Sequence, residues 1–228
     1  KAALVDQLAC LIEASANDSR VRPVVELLAS TCLNDGPSRL RLNESPGEHL
    51  VDLFFDTVRA GHDDMALAVG SALACWVDKN HHAAPLLTRT HFLARLDAAL
   101  VDASWSDIST TALILRNWVQ GNEDVQKAVI TSNVFTKMCT SFKYFDASTK
   151  ISQHFVAAFY FCSCLLELHV PSHVSATDKV VERVWSILNR IFMTHFPLDY
   201  ERTRVRCALV MGEFLTHFKL IVDSETRA

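Results

Sequence analysis

The run Ser109-Thr-Thr-Ala-Leu-Ile-Leu-Arg116-Asn117-Trp118-Val-Gln120-Gly121-Asn122-Glu-Asp-Val-Gln126-Lys-Ala-Val-Ile130-Thr-Ser-Asn133-Val-Phe135 decides the fold. Its first half is a helix former without Gly or Pro, and its second half carries Val125, Val129 and Ile130 at helical spacing. Between the halves, Gly121 takes the left-handed conformation that ends one helix. Asn122 caps the next, with Glu123 and Asp124 in its favourable first turn. The segment therefore reads as a long helix, a tight turn and a short helix.

Working outward, the same frame recurs. Ala72-Leu-Ala-Cys75-Trp76-Val-Asp-Lys-Asn80 lies over the end of the first helix and sets Trp76 on Trp118 at a spacing of 42. Leu28 to Asn34 repeats the frame with Leu33 a further 43 residues upstream. Looser copies at Cys164-Leu165-Leu166-Glu167 and Gly212-Glu213-Phe214-Leu215 lie further along at about 48. A period near 42 means that each unit cannot bury its own apolar face and must stack on its neighbours.

Breaks punctuate the frame at Asn34-Asp35-Gly36-Pro37, Glu44-Ser45-Pro46-Gly47, Ala60-Gly61-His62, Asp78-Lys79-Asn80, Gln120-Gly121-Asn122, Pro171-Ser172 and Phe196-Pro197. They divide the chain into units at 1–36, 47–80, 83–122, 123–170 and 177–220, with long helices predicted at 24–33, 65–78, 107–120, 150–169 and 203–219. Helix starts are read at Ser45-Pro46 with Glu48 in the first turn, at Ser106-Asp107 and at Thr177-Asp178. The longest apolar run, Phe155 to Leu166, is too short for the roughly 20 residues that cross a bilayer and predicts a helix buried on all sides.

The stretch from Ser109 to Phe135 resembles the armadillo signature, in which a long third helix ends in Leu-x-Asn-Leu, a Gly-Asn turn comes next, and a short helix carries Gln and Ile. Arg116-Asn117-Trp118 with Gly121-Asn122-Glu123-Asp124 is in addition similar to the ataxin-ten proteins. The resemblance implies an all-α, right-handed α-solenoid, an armadillo-like superhelix of four to five repeats, with residues 1–228 as one repeat domain; the start at Lys1 without an initiator Met leads to the expectation of a piece of a longer protein. It also implies a concave groove in which Asn117 meets the backbone of an extended peptide. The departure lies beside it: peptide-binding members pair that Asn with a Trp four residues earlier, where this chain has Leu113, and one repeat upstream Cys75 replaces the Asn.

Composition fits that class. The 228 residues include only 6 Gly and 6 Pro, with 50% hydrophobic and 21% charged residues, so long turn-poor elements are expected and disorder is not. Net charge is −4, from 22 Lys and Arg against 26 Asp and Glu, so there is no global field for a polyanion and nucleic acid is not the expected ligand. Seven scattered cysteines, an odd number set mostly in apolar stretches, read as reduced thiols packed as small hydrophobes, which points to the cytoplasm, with the nucleus as the alternative.

Candidate chemistry is sparse. The 10 histidines include His81-His82 with His91, and His169 with His173, but neither these nor Cys162-x-Cys164 has the spacing of a zinc site, so no metal is expected. Nucleophile-elbow, P-loop, dinucleotide and kinase motifs are missing, so no catalytic residue, enzyme activity or cofactor is expected. Trp76 and Trp118 are read as core between repeats.

The candidate partner-binding residues are Arg116, Asn117 and Gln120 on the third helix of the best-matched unit, and Arg202 and Arg206, which share a face at one-turn spacing. For the two arginines the bland reading is pairing with Glu182, Glu201 or Glu213. The expected function is a non-catalytic scaffold that binds a partner protein or peptide. Two further readings are a regulator of a small GTPase, as exchange factor or chaperone, and self-association as a homodimer.

Overall fold

A computed structural model describes residue 7 and residues 21–34, 36–43, 45–80, 82–100, 104–143, 152–175, 177–194 and 201–225. Every regular element among them is helical: α1 (Val21–Asn34), α2 (Gly36–Arg41), α3 (Ser45–Arg59), α4 (Asp63–Val77), α5 (Ala83–Arg89), α6 (Phe92–Ala99), α7 (Trp105–Val119), α8 (Glu123–Ile130), α9 (Asn133–Lys143), α10 (Ser152–Leu168), α11 (Val170–His173), α12 (Lys179–Phe192) and α13 (Glu201–Glu225). No described helix is long and apolar enough to cross a membrane.

The helix ends follow local chemistry. Gly121 has φ 69°, the left-handed turn that the sequence assigns to it, and Gly61, within the expected break at Ala60-Gly61-His62, has φ 68°. Asn122 accepts a hydrogen bond from the Val125 N–H at 3.2 Å and Asp178 one from the Val180 N–H at 2.9 Å, so both cap as read. The start assigned to Ser106-Asp107 lies two residues earlier. Ser104 is the cap, in a reciprocal box: its hydroxyl accepts from the Asp107 N–H while the Asp107 carboxylate accepts from the Ser104 N–H.

Two of the expected breaks turn out to be helix starts. Gly36-Pro37 opens α2, and Pro171 sits in the first turn of α11, where a missing N–H costs nothing. The sharp turn before α11 belongs to His169, at φ 46°. The break at Phe196-Pro197 lies outside the described residues.

The elements touch in two ordered rows. The long row, with 14 to 25 residues per helix, packs as α1 on α4, α4 on α7, α7 on α10 and α10 on α13, while a second row, with 8 to 15 residues per helix, packs as α3 on α6, α6 on α9 and α9 on α12. Several side-chain bonds between elements join residues 40 to 43 positions apart, while others span 33, 37 or 47. On the second row and the turns beside it, Arg89 pairs with Glu48 (41 positions apart), Arg95 with Asp52 at 2.7 Å (43 apart), and Lys137 with Asp97 (40 apart). On the long row, Asn117 Nδ2 donates to the Ala74 carbonyl at 2.9 Å, 43 positions away.

At Gly70 α4 and α7 pack closely. A Cβ there would lie 2.0 Å from Thr110 Cγ2. The core runs between the rows and includes Phe54, Phe55, Phe92 and Trp118 in consecutive ring contacts, then Trp105, Phe142 and Phe161. Trp76 is fully buried and Trp118 only 6% exposed, in accord with the core reading.

Candidate functional site

The site begins with α10. The apolar composition of Phe155–Leu166 predicts burial all round, and the structure corrects this. Phe155, Ala157, Ala158, Phe161, Cys162, Cys164 and Leu165 are buried between the neighbouring long helices, but Val156, Phe159, Tyr160 and Leu166 keep a half-exposed stripe. The stripe results from the stacking: α7 and α13 cover the two flanks of α10 and leave one face between them.

Onto that face α13 lays Arg206, whose guanidinium carbon stands 4.6 Å from the centre of the Phe159 ring. Arg206 is held below the ordinary arginine range, first by burial and then by the positive charges of Arg116 and, more weakly, Arg202; Glu167 opposes the shift. Arg116 and Arg202 thus act on the charge of Arg206, so three of the five residues singled out from the sequence influence one another. None of the three makes an ion pair or side-chain hydrogen bond with a described residue.

The acids expected to neutralise them are engaged elsewhere or apart. Glu201 lies 3.6 Å from Arg204 and Glu213 takes His169 at 2.7 Å. Glu182 belongs to a different recess of about 510 Å³, between α9 and α12, with Lys179 and Arg183.

Asn117 is half-buried on α7, and its amide nitrogen holds the carbonyl of Ala74 at the end of α4. That bond fixes how one long helix sits on the next. Gln120 is the residue after α7, half-exposed in the turn to Gly121.

A comparable clamp is not legible in the sequence. Gln126, 4% exposed, donates to the Val119 carbonyl at 3.1 Å and to the Glu167 carbonyl at 2.9 Å, and its Oε1 meets His173 Nε2 at 3.1 Å. It therefore ties α7, α10 and α11 through one amide, using both donors and the acceptor. Its only signal is a Gln placed among the apolar positions of a short helix. Phe159 and Glu167 likewise carry no signal of their own, because their role depends on which helices flank α10.

The remaining candidates are structural. Among the described residues no group of three or more His, Cys, Asp and Glu is arranged to hold a metal. The described cysteines are free thiols, and Cys10 and His81 lie outside the described residues. Burial pushes the Cys139 thiol up to about 12, and a hydrogen bond with Cys207 together with burial raises Cys162 well above its ordinary value. Such thiols are packing groups rather than nucleophiles.

Comparison with protein-family models, with curated proteins and with solved structures finds no match to this chain.

Proposed function

We propose that the chain is an armadillo-like right-handed solenoid of four to five units that serves as a non-catalytic protein-interaction scaffold in the cytosol. The observation that carries this reading is the register. Long helices touch in chain order, and several bonds between successive helices of the stack join residues about one repeat apart. A globule folded once around a single core has no reason to keep that step, whereas a stack of equivalent units must. In this reading the long-helix row lines the concave side, and Arg116, Gln120, Arg202 and Arg206 are presented to a partner segment.

Asn117 takes a supporting part, since its donor already serves Ala74. For that reason the test uses Arg116 and Gln120. Cross-linking mass spectrometry on captured partner should place cross-links on residues flanking α7, α10 and α13, and Arg116→Ala with Gln120→Ala should reduce capture several-fold. Undiminished capture by the double variant, with cross-links confined to the α3, α6, α9 and α12 row, would remove the concave-face reading.

A further inference from the structure

The Arg206 guanidinium lies over the half-exposed stripe of α10, the charges of Arg116 and Arg202 act on it, and none of the three has a counter-charge in contact among the described residues. Arg116 comes from α7, and Arg202 and Arg206 from adjacent turns of α13, on either side of the helix that carries Phe159 and Tyr160. Glu167 is the carboxylate near enough to matter, and it forms no ion pair with any of them. Like charges held together at a half-buried place cost free energy, which Glu167 and the Phe159 ring offset in part and no direct ion pair with a described residue relieves. The chain as a whole is negative, at −4, so this local excess of positive charge runs against the average.

Resting on the scaffold reading, we propose that this face binds an acidic, extended segment of a partner protein, with Asp or Glu side chains held by Arg116, Arg202 and Arg206 and apolar side chains laid on Val156, Phe159 and Tyr160. A guanidinium stacked on an aromatic ring keeps its in-plane N–H donors open, the geometry that receives a carboxylate in bidentate fashion. An extended chain points alternate side chains to opposite faces, so successive acids on one face address cations carried by separate helices. The half-exposed apolar stripe and the exposed Leu209, one turn beyond Arg206, offer area that inorganic phosphate does not use. A nucleic acid would meet the net negative charge of the rest of the chain.

The probe is a fluorescein-labelled peptide in which Asp or Glu and Leu take every second position in turn, with Ser between, titrated against the full chain by fluorescence anisotropy. The control is the same peptide with Asn and Gln. The acidic peptide should bind at least about tenfold more tightly than its amide form and weaken as salt is raised. Arg116→Gln and Arg206→Gln should each cost about tenfold, since a partner carboxylate then loses its cation. Arg202→Gln, on the exposed side of α13, should cost less, and it carries the test if Arg206→Gln fails to give a native melt.

Equal affinity for the two peptides, or a double variant that binds as the parent does, overturns the acidic-segment assignment. Cross-links on α10 and α13 would still stand in that case, leaving the scaffold reading intact. Binding of a labelled single-stranded oligonucleotide, with no binding of either peptide, overturns both.

Discussion

Trp76 and Trp118 stand on matching turns of α4 and α7, and both are buried, but they differ at one atom. The Trp76 indole N–H donates to Asn43 Oδ1 at 3.0 Å, while the Trp118 N–H is buried without an acceptor among the described residues. Replacing each by Phe should therefore separate them. Trp76→Phe loses a buried hydrogen bond and some contact area and should cost more, by about 1 kcal/mol, because Asn43 Oδ1 keeps its bond from Asn80. In Trp118→Phe the lost area is offset by removal of an unsatisfied donor. Urea denaturation of the two variants measures the difference, and an equal loss would show that the indole N–H of Trp118 has an acceptor after all.

The buried thiols add a pH dependence of known sign. Cys139 is raised from 9.0 to about 12 in the native chain. Unfolded thiols ionise first, so this contribution to stability is complete below about 9 and falls as pH rises from there toward 12. Stability measured across that range should decline, and Cys139→Ala, weaker at neutral pH through its cavity, should decline less steeply.

At the scale of elements, the joints between helices are narrow and specific. Gly70 lets α4 and α7 approach where a methyl would meet Thr110 at 2.0 Å, so Gly70→Ala should destabilise by about 1–3 kcal/mol despite Ala's better helix propensity. A thermal melt unchanged by the substitution would mean that the two helices separate without cost. Asp97 is held below the usual carboxylate range by hydrogen bonds from Lys137 and Asn133. The stability it supplies is present above the ordinary Asp value and lost as pH falls through the lowered native one, so Asp97→Asn should flatten part of the acid limb of the stability curve.

The sequence discloses the elements unevenly. The Gly121-Asn122 turn, the caps at Asn122 and Asp178 and the Trp76–Trp118 register are legible because each rests on chemistry within a few neighbouring residues. The short helix α2 is hidden by Gly36-Pro37, a pair that marks a break or a helix start according to the residues after it. The turn at His169 carries no glycine to announce it. At the candidate site the five residues are visible as types, but their arrangement is not. Whether Arg206 pairs with Glu213 or stacks on Phe159 is decided by how α13 docks on α10, and His169 takes Glu213.

For the molecule as a whole, stacking in chain order distinguishes a solenoid from a compact bundle by size in solution. A compact chain of this length has a radius of gyration of about 17 Å, and a stack of units should exceed it by several ångströms in small-angle scattering. A value at the compact limit would contradict the proposed architecture.

Interfaces that repeat at a fixed step are also interchangeable. Arg95 on α6 meets Asp52 on α3, and Lys137 on α9 meets Asp97 on α6. Removing residues 78–119, which is 42 positions, joins Val77 directly to Gln120 and moves Lys137 into the place that Arg95 held, opposite Asp52. Under the proposed solenoid architecture the shortened chain should keep its acid–base partner, its Gly121 turn and its alternation of helices. A whole unit would then come out in register, while the loss of a few residues within a helix would turn every later buried face away from its neighbour.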